Sequence, residues 1–331
     1  MSFPGKIAVM GGGSWATALA RLLLDNEDDI IWYIHRDDRI EEFKRRRRNP
    51  AYLTGVVFDT SRIEFTSDIN YAASQADTLL LAMPSPYFKE QIDRITTDIS
   101  SKAVVSAIKG IVAEDQMIIT DYMETHFGIN TGRSLVVSGP CHAEEVAMGH
   151  RSYLTVGCND IVRAEQFAHA LAGPQLKTIT SSDVVGIEYA AVLKNVYAIC
   201  AGIVHGLRGG DNFQAMVVSN AVMEMQRFLM RVSPRQRNIS DSVYLGDLLV
   251  TSYSRFSRNH NFGTMLGRGH SVRAARMEMV QTVEGYYAAR CMHEINKRYG
   301  VAMPIMEGIY RILYHDVTPS DAIAEMSELF I

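Results

Sequence analysis

The fold is decided by residues 7–24, which read IAVMGGGSWATALARLLL. The run Ile7–Met10 is short and apolar, which is typical of a buried strand in a parallel sheet. Residues 11–16 then match the spacing G-x-G-x-x-A, and the apolar residues after them recur at helical spacing. Gly11 permits the tight turn, Gly13 lets the backbone approach a pyrophosphate, and Ala16 lets the helix pack closely on the strand. A strand, a glycine turn and a helix in this order predict a dinucleotide-binding site, and an ordinary tight turn is the alternative.

Short apolar runs alternate with helical stretches as far as residue 180, which indicates a doubly wound parallel sheet. The predicted strands are residues 7–10, 30–35, 63–65, 78–82, 103–108, 134–138 and 153–157. Beyond Asp183 the sequence changes to long apolar helices. The length of 331 residues also favours two domains. We therefore predict an α/β fold, with an N-terminal Rossmann-type doubly wound parallel sheet in residues 1–182 and an all-α C-terminal domain in residues 183–331.

The overall composition indicates a soluble globular protein. It has 47% hydrophobic and 21% charged residues and a formal net charge of −4, which gives no general attraction to nucleic acid or to an anionic membrane. The apolar run 190–204 is interrupted by Lys194 and Asn195 and is shorter than the ~18–20 residues that span a bilayer. We expect a buried core helix there, and no stable membrane insertion. The scattered cysteines and the start without an export signal predict a cytoplasmic protein with reduced thiols and no metal site.

The end of the second predicted strand bears on cofactor choice. An NAD-specific fold usually carries an acidic residue there for the ribose 2′-hydroxyl, whereas this chain has His35 and Arg36. Arg36 suits the 2′-phosphate of NADP, while Asp37 or Asp38 could serve the hydroxyl. The sequence thus predicts NADP(H) or NAD(H), with NADPH slightly favoured, and an exposed strand end is the alternative.

Four polar segments suit a hydride-transfer site for a phosphorylated ketone: SAIKG at 106–110, AAVLKNV at 190–196, LGDLLVT at 245–251 and SRNHNFG at 257–263. Lys194 lies in an apolar helix, where an ammonium is costly unless it faces a carboxylate or a polar cavity. Asp247 is a candidate partner, although a turn or N-cap aspartate is equally compatible with the sequence. Arg258 and Asn259 offer a planar donor fork and an amide for phosphate oxygens, with an exposed polar loop as the alternative.

The chain resembles the NAD(P)-dependent sn-glycerol-3-phosphate dehydrogenases, and the bacterial dihydroxyacetone-phosphate reductases in particular. The segments that carry the resemblance are VMGGGSWATALA, NPAYLTG, AMPS, SAIKG, VSGP, GIEYAAVLKNV, GDN, GDLLVT, SRNHNFG and TVEG. They occur in family order over nearly the whole chain, and KNV, GDL and SRN together are highly specific. The resemblance implies reversible hydride transfer between NAD(P)H and dihydroxyacetone phosphate, giving sn-glycerol 3-phosphate for glycerophospholipid synthesis.

The resemblance also implies roles for individual residues. Lys194 is implied to be the catalytic acid and base, oriented by Asp247 and Asn195, with Lys109 in the substrate site. The implied substrate-binding residues are Lys109, Gly139, Cys141, Lys194, Asp247, Thr251, Ser257, Arg258 and Asn259. The cofactor-binding residues, including the two glycines of the turn, are Gly11, Gly13, Ser14, Trp15, His35, Arg36, Lys109, Ala143, Arg258, Thr282 and Glu284. The chain departs from the family pattern at Thr54, Cys141, Ser219, Asn220 and Thr282, which leaves the fine substrate contacts open.

Other functions fit parts of the sequence. A ketopantoate or 3-hydroxyacid reductase shares the architecture and uses a helix-borne lysine, but it has no need of a phosphate-binding SRN segment. A nucleic-acid-binding protein could use the basic run 44–48, although a solvated helix end is favoured because no aromatic residue interleaves the run. A cofactor sensor without catalysis would have no need of Lys194, Asp247 and Arg258. We expect a homodimer, to which the helix 221–230 is a candidate contributor, with ordinary packing as the alternative.

Overall fold

The computed structural model describes residues 5–331, and these residues form two compact units. The first unit contains the described residues up to Ile108 together with Met117–Val184, and the second contains Lys109–Gln116 and Val185–Ile331. The segment Lys109–Gln116 therefore belongs to the second unit although it lies within the first half of the chain. The predicted division after residue 182 assigned this segment to the N-terminal domain.

The first unit is built on an eight-stranded sheet with the order β3-β2-β1-β4-β5-β6-β7-β8. The strands are β1 Ile7–Met10, β2 Ile30–Tyr33, β3 Ile63–Thr66, β4 Thr78–Leu81, β5 Ala103–Ser106, β6 Ser134–Ser138, β7 Ser152–Cys158 and β8 Leu176–Ser181. Neighbouring strands are parallel except β6 and β7, which pair antiparallel. The predicted Rossmann-type α/β fold class, with its doubly wound and mostly parallel sheet, is thus confirmed. The order reverses direction between β1 and β4, where open α/β sheets bind their ligands.

Strand β8 was missing from the predicted strands. It lies at the end of the sheet and pairs with β7 alone, so only part of its surface is covered. Leu176 is buried, whereas Ile179 is 39% exposed. The mixture of lysine, threonine and serine in this strand follows from its edge position, and it removes the apolar run that marks the central strands.

Helices of the first unit cover the sheet. Their bounds are α1 Ser14–Asn26, α2 Asp37–Arg46, α3 Ile69–Gln75, α4 Ser85–Ile92, α5 Ile119–Phe127, α6 Ala143–Ala147 and α7 Ile161–Leu171. In α1 the residues Ala16, Leu19, Ala20 and Leu23 are fully buried, and their spacing of three and four residues places them on one face. This face packs against the sheet in the hydrophobic core, and the packing holds the start of α1 next to the end of β1.

The second unit is helical apart from its connecting segments and Lys109–Gln116. The helices of this unit are α8 Val184–Gly206, α9 Gly210–Val232, α10 Asp247–Tyr253, α11 Arg258–Gly267, α12 Val272–Glu278, α13 Glu284–Tyr299, α14 Pro304–Tyr314 and α15 Pro319–Ser327. Helix α8 is long and apolar enough to cross a membrane by composition alone, but its most apolar 18-residue window is 100% buried inside the protein. It is a buried core helix, as the sequence predicted. The helix 221–230, a candidate for a dimer contact, lies within α9 and buries Ala221, Met225, Phe228 and Leu229.

Candidate active site

The glycine turn has the geometry that a dinucleotide needs. Gly11 has a φ of 134°, and a Cβ there would lie 2.4 Å from the carbonyl oxygen of Ala82, so any side chain would clash with backbone. A Cβ at Gly13 would meet nothing within 4 Å, which leaves room above the turn. Gly13 is also the residue before α1, whose first N–H groups point out of the helix. The glycine turn therefore fits a pyrophosphate group at the point where the strand order changes direction, between β1 and β4.

Two side chains that sequence reasoning missed fix the shape of this turn. The indole Nε1 of Trp32 donates to the carbonyl of Gly11 at 2.7 Å. Asn49 is 3% exposed, and its Nδ2 donates to the carbonyl of Gly12 at 3.0 Å and to Oγ1 of Thr17 at 2.8 Å. The available signal for Asn49 was the segment NPAYLTG, which carried part of the family resemblance. Ser14 and Trp15 open α1 directly after the turn.

The polar groups at the end of β2 pair with each other. His35 and Arg36 are exposed, and Arg36 makes two hydrogen bonds with Asp38, one of them from Nε to Oδ1 at 2.9 Å. The Arg36 guanidinium lowers the pKa of the Asp38 carboxyl. Arg36, which was expected to favour NADPH, and Asp38, a candidate for binding the ribose hydroxyl, therefore form one exposed ion pair.

The loop after β6 carries three of the predicted site residues. Gly139 has a φ of 142°, and a Cβ there would lie 2.7 Å from the carbonyl oxygen of Tyr153. Cys141 is 5% exposed, and its thiol donates to the same carbonyl at 3.1 Å. Ala143 is the first residue of α6. The backbone of this loop is thus fixed against β7, and the cysteine takes part in that attachment.

A buried ion pair lies in the second unit. Lys194 on α8 is 3% exposed and Asp247 is 1% exposed, and Nζ of the lysine contacts Oδ1 of the aspartate. Asp247 is the first residue of α10 and directly follows a π-helical turn, Ser242–Gly246. The carbonyl of Asp247 accepts a hydrogen bond from the hydroxyl of Thr251 at 2.6 Å. The structure therefore contains the expected pairing of Lys194 with Asp247.

Burial lowers the pKa of Lys194 from 10.5 to about 8. Desolvation is the largest cause, the charge of Asp247 opposes it, and the nearby charge of Lys109 adds to the lowering. Lys109 is half-buried in the same unit. A lysine with this pKa can give or take a proton near neutral pH, which a solvated surface lysine does rarely.

Asn195, next to Lys194 on α8, links two other segments of the helical unit. Its Nδ2 donates to the carbonyl of Lys109 at 3.0 Å, and its Oδ1 accepts from Nδ2 of Asn259 at 2.9 Å. Oδ1 of Asn259 in turn accepts from the N–H of Gly285 at 2.9 Å. Asn195 therefore holds the backbone of Lys109. Asn259, expected to bind phosphate, is a link in this chain of amides.

The remaining predicted residues lie around the start of α11. The hydroxyl of Ser257 accepts from the N–H of His260 at 3.2 Å and so caps the helix, which accounts for its 2% exposure. Arg258 is exposed, and its Nη1 donates to the carbonyl of Thr282 at 3.1 Å. Glu284 begins α13. Arg258, Thr282 and Glu284 are thus neighbours by this contact and by sequence.

The structure also shows the contacts of Asn220 and of the basic run 44–48. Asn220, one of the positions where the chain departs from the family pattern, makes hydrogen bonds with both the N–H and the carbonyl of Ile331, at 3.1 and 3.3 Å. Within the basic run, Arg46 pairs with Glu42 at 2.7 Å and Lys44 with Glu41 at 3.5 Å. Acidic residues of α2 therefore offset this run, as expected of a solvated helix end.

A Rossmann-type unit with an anion-binding glycine turn, joined to a helical unit with a buried lysine of lowered pKa, defines a nicotinamide-dependent dehydrogenase. Two family models match the chain. The model described as NAD-dependent glycerol-3-phosphate dehydrogenase N-terminus matches residues 6–164, and the model of the corresponding C-terminus matches residues 183–324. The chain belongs to the NAD-dependent glycerol-3-phosphate dehydrogenase family.

Similar proteins agree with this assignment. A glycerol-3-phosphate dehydrogenase [NAD(P)+] from Lysinibacillus sphaericus is 34% identical, with 96% of this chain and 94% of the relative covered. A relative of the same description from Bacillus subtilis is 33% identical, with 94% and 90% covered. The crystal structure of a glycerol-3-phosphate dehydrogenase from Coxiella burnetii is 27% identical, with a TM-score of 0.91 over 98% of this chain and 99% of that one. The alternative of a ketopantoate or 3-hydroxyacid reductase is therefore not favoured.

Proposed function

We propose that this chain reversibly reduces dihydroxyacetone phosphate to sn-glycerol 3-phosphate, with Lys194 as the acid and base. The buried Lys194–Asp247 pair is the observation that carries the proposal, because such a pair can exchange a proton near neutral pH. The nicotinamide, when bound, supplies or accepts the hydride at C2 of the substrate.

In the reductive direction, Nζ of Lys194 donates a proton to the carbonyl oxygen at C2 while the carbon gains the hydride. The C=O double bond becomes a secondary alcohol, and the lysine is left neutral until solvent protonates it. In the oxidative direction, the neutral amine takes the hydroxyl proton. Asp247 positions the lysine through its buried contact and favours the charged form, while Lys109 favours the neutral form.

The proposed substrate contacts use the groups that the helical unit holds in place. The amide chain through Asn259 and Asn195 fixes the backbone of Lys109, whose ammonium we assign to the substrate. Arg258 has five N–H donors in a planar fork, and we assign it to phosphate of the substrate or the cofactor. Phosphate binding remote from C2 supplies energy that orients the ketone without taking part in the chemistry.

We further propose that NADPH is used slightly better than NADH. The 2′-phosphate would take over the Arg36 guanidinium from Asp38, whereas the free carboxylate of Asp38 would suit a 2′-hydroxyl. From the family resemblance we also propose a cytoplasmic homodimer that supplies sn-glycerol 3-phosphate for glycerophospholipid synthesis. Light scattering tests the oligomeric state against the chain mass of 36.9 kDa.

Steady-state assays with dihydroxyacetone phosphate and either NADPH or NADH test the activity and the cofactor preference together. Lys194→Ala should lower kcat about 10²–10⁴-fold, which is the usual contribution of a general acid. Lys297→Ala is the matched control, since this lysine of the same unit is exposed and pairs with Glu294. NADPH binding, followed by its fluorescence, should persist in both variants because the glycine turn lies in the other unit.

Near-normal turnover by Lys194→Ala would refute the assigned role. If the unmodified chain instead turned over ketopantoate or a 3-hydroxyacid and left dihydroxyacetone phosphate unchanged, the proposed substrate would be wrong.

A further inference from the structure

The glycine turn is held by two side chains from outside it. Nε1 of Trp32 on β2 donates to the carbonyl of Gly11 at 2.7 Å. Nδ2 of Asn49, in the connection between α2 and β3, donates to the carbonyl of Gly12 at 3.0 Å. Trp32 and Asn49 are both buried, so both carbonyls of the turn point toward the packed interior of the first unit.

The direction of these carbonyls decides the direction of two N–H groups. A trans peptide unit is planar, and its C=O and N–H point in opposite directions. The peptide bonds among residues 5–331 are all trans. The N–H of Gly12 shares a plane with the carbonyl of Gly11, and the N–H of Gly13 shares one with the carbonyl of Gly12. Both N–H groups therefore point away from the interior, and successive N–H groups that point the same way attract an anion.

The carboxamide of Asn49 is fixed by further hydrogen bonds. Its Oδ1 accepts the N–H groups of Ala51 and Tyr52 at 3.0 and 3.1 Å. Its Nδ2 also donates to Oγ1 of Thr17 at 2.8 Å, and that hydroxyl donates to the carbonyl of Gly13 at 2.8 Å. Rotation of the carboxamide would break several bonds at once. The position of the Gly12 carbonyl is therefore fixed as well.

The indole of Trp32 is fixed by aromatic packing. The rings of Phe43 and Phe58 meet it edge-on at centroid distances of 5.1 and 5.5 Å, and the ring of Phe65 stacks on it at 5.9 Å. These contacts hold the ring plane and so aim Nε1 at the Gly11 carbonyl. The packing requires an aromatic ring at this position, whereas the hydrogen bond requires an indole.

The turn needs such support because it consists of three consecutive glycines. Glycine accepts a wide range of φ and ψ angles, so a peptide between two glycines rotates at little steric cost. We propose that Trp32 and Asn49 are positioning residues for the cofactor, which aim the N–H groups of Gly12 and Gly13 at its pyrophosphate. These N–H groups have their direction before the cofactor arrives, so binding does not have to order them.

Binding of NADPH and of NADH to the full chain, followed by nicotinamide fluorescence, tests the proposal without a substrate. Trp32→Phe keeps the aromatic ring and removes the donor, and Asn49→Ala removes the amide. Each should raise the Kd of both cofactors about tenfold, the factor that one hydrogen bond to a charged group contributes. The two cofactors should weaken equally because they carry the same pyrophosphate. Under turnover, which rests on the proposed reaction, KM for NADPH should rise while kcat stays within about twofold.

Two variants serve as controls for a general loss of stability. Phe43→Leu disturbs the same aromatic cluster, but Phe43 packs on Trp32 through its ring alone. Asn70→Ala removes another amide of the first unit, one that accepts the N–H groups of Thr96 and Thr97. Urea unfolding should show lower stability for both controls. Their Kd for NADPH and NADH should equal that of the unmodified chain.

Three results would overturn the proposal. One is an unchanged Kd in Trp32→Phe and Asn49→Ala. Another is an equal rise of Kd in the two controls, which would reduce the effect to lost stability. A rise limited to NADPH would place the effect at the 2′-phosphate and away from the pyrophosphate. If Asn49→Ala does not fold, Trp32→Phe decides the matter, because it preserves the aromatic cluster.

Discussion

Lys194 carries its ammonium at a place that is 3% exposed, and the surroundings set the pH at which it loses its proton. Burial lowers the pKa of Lys194 because it disfavours the charged form. The charge of Asp247 raises this pKa in part, and the charge of Lys109 lowers it further. A lone lysine in the same place would be neutral, whereas a lysine paired in water would stay charged over the whole neutral range. The intermediate pKa of about 8 is therefore a property of three side chains.

This balance predicts the pH dependence of both directions. Reduction needs the charged lysine, so its kcat/KM should be level below pH 8 and fall about tenfold per pH unit above it. Oxidation needs the neutral amine and should rise through the same pH. In Asp247→Asn the charge that favours the ammonium is lost, so both midpoints should move to lower pH. Lys297→Ala is the control and should leave both midpoints in place, and an unchanged or higher midpoint in Asp247→Asn would contradict the assigned balance.

At the scale of elements, the close packing of α8 against α11 positions Asn195, the residue next to Lys194. A Cβ at Gly263 would lie 2.1 Å from the carbonyl oxygen of Ile199, and one at Gly202 would lie 2.0 Å from the carbonyl oxygen of His260. The two backbones thus touch directly. This closeness brings Asn195 of α8 within hydrogen-bonding distance of Asn259 of α11.

Gly263→Ala should therefore separate these helices. Overpacking of this kind usually costs about 1–3 kcal/mol, and the clash with backbone favours the upper part of that range. We expect a lower melting temperature and a loss of turnover larger than the loss of NADPH binding, because the contact lies in the second unit. Gly55→Ala is a suitable control, since a Cβ there meets nothing within 4 Å. A Gly263→Ala protein as stable and active as Gly55→Ala would show that the helices can move apart freely.

Helix α14 begins on a buried carboxylate. Glu224 of α9 is 0% exposed, and it accepts the N–H groups of Ile305 and Met306 at 2.8 and 3.0 Å. Burial raises the pKa of Glu224 from 4.5 to about 7, and the hydrogen bonds only partly offset this. A carboxyl whose pKa is raised on folding stabilises the fold below its unfolded pKa, and this contribution is lost as pH rises from 4.5 to 7.

Glu224→Gln removes that titration and should flatten part of the pH dependence of stability. Between pH 5 and pH 8 the unmodified chain should lose stability relative to the variant, by a few kcal/mol at most, since one pKa unit corresponds to about 1.4 kcal/mol. Denaturant unfolding of both proteins at the two pH values measures the difference. Because the change in stability between the two pH values is compared, the pH-independent cost of replacing the carboxyl with an amide cancels. Parallel curves over this range would mean that Glu224 titrates at its ordinary pKa.

At the scale of the whole molecule, local sequence patterns predicted the secondary-structure elements better than the tertiary contacts between them. The apolar run around Lys194 identified a buried helix, and the glycine spacing located the turn, because both signals lie within a few residues. The bond from Asn195 to the carbonyl of Lys109 joins residues 86 positions apart, so no local pattern contains it. The reversed direction of β7 and the bond from Asn49 to the glycine turn depend on tertiary structure in the same way.

Because Lys109–Gln116 belongs to the second unit, a protein cut after Val184 should not contain a complete, self-sufficient unit. Ile111 and Val112 are 3% and 1% exposed in the whole chain. A protein ending at Val184 retains this segment but lacks the rest of the unit to which it belongs, so both side chains should become exposed and promote association. Light scattering should show oligomers for residues 1–184, and fewer of them when Ile111 and Val112 are both replaced by serine. A monodisperse, cooperatively melting monomer without these replacements would mean that the first unit covers the segment by itself.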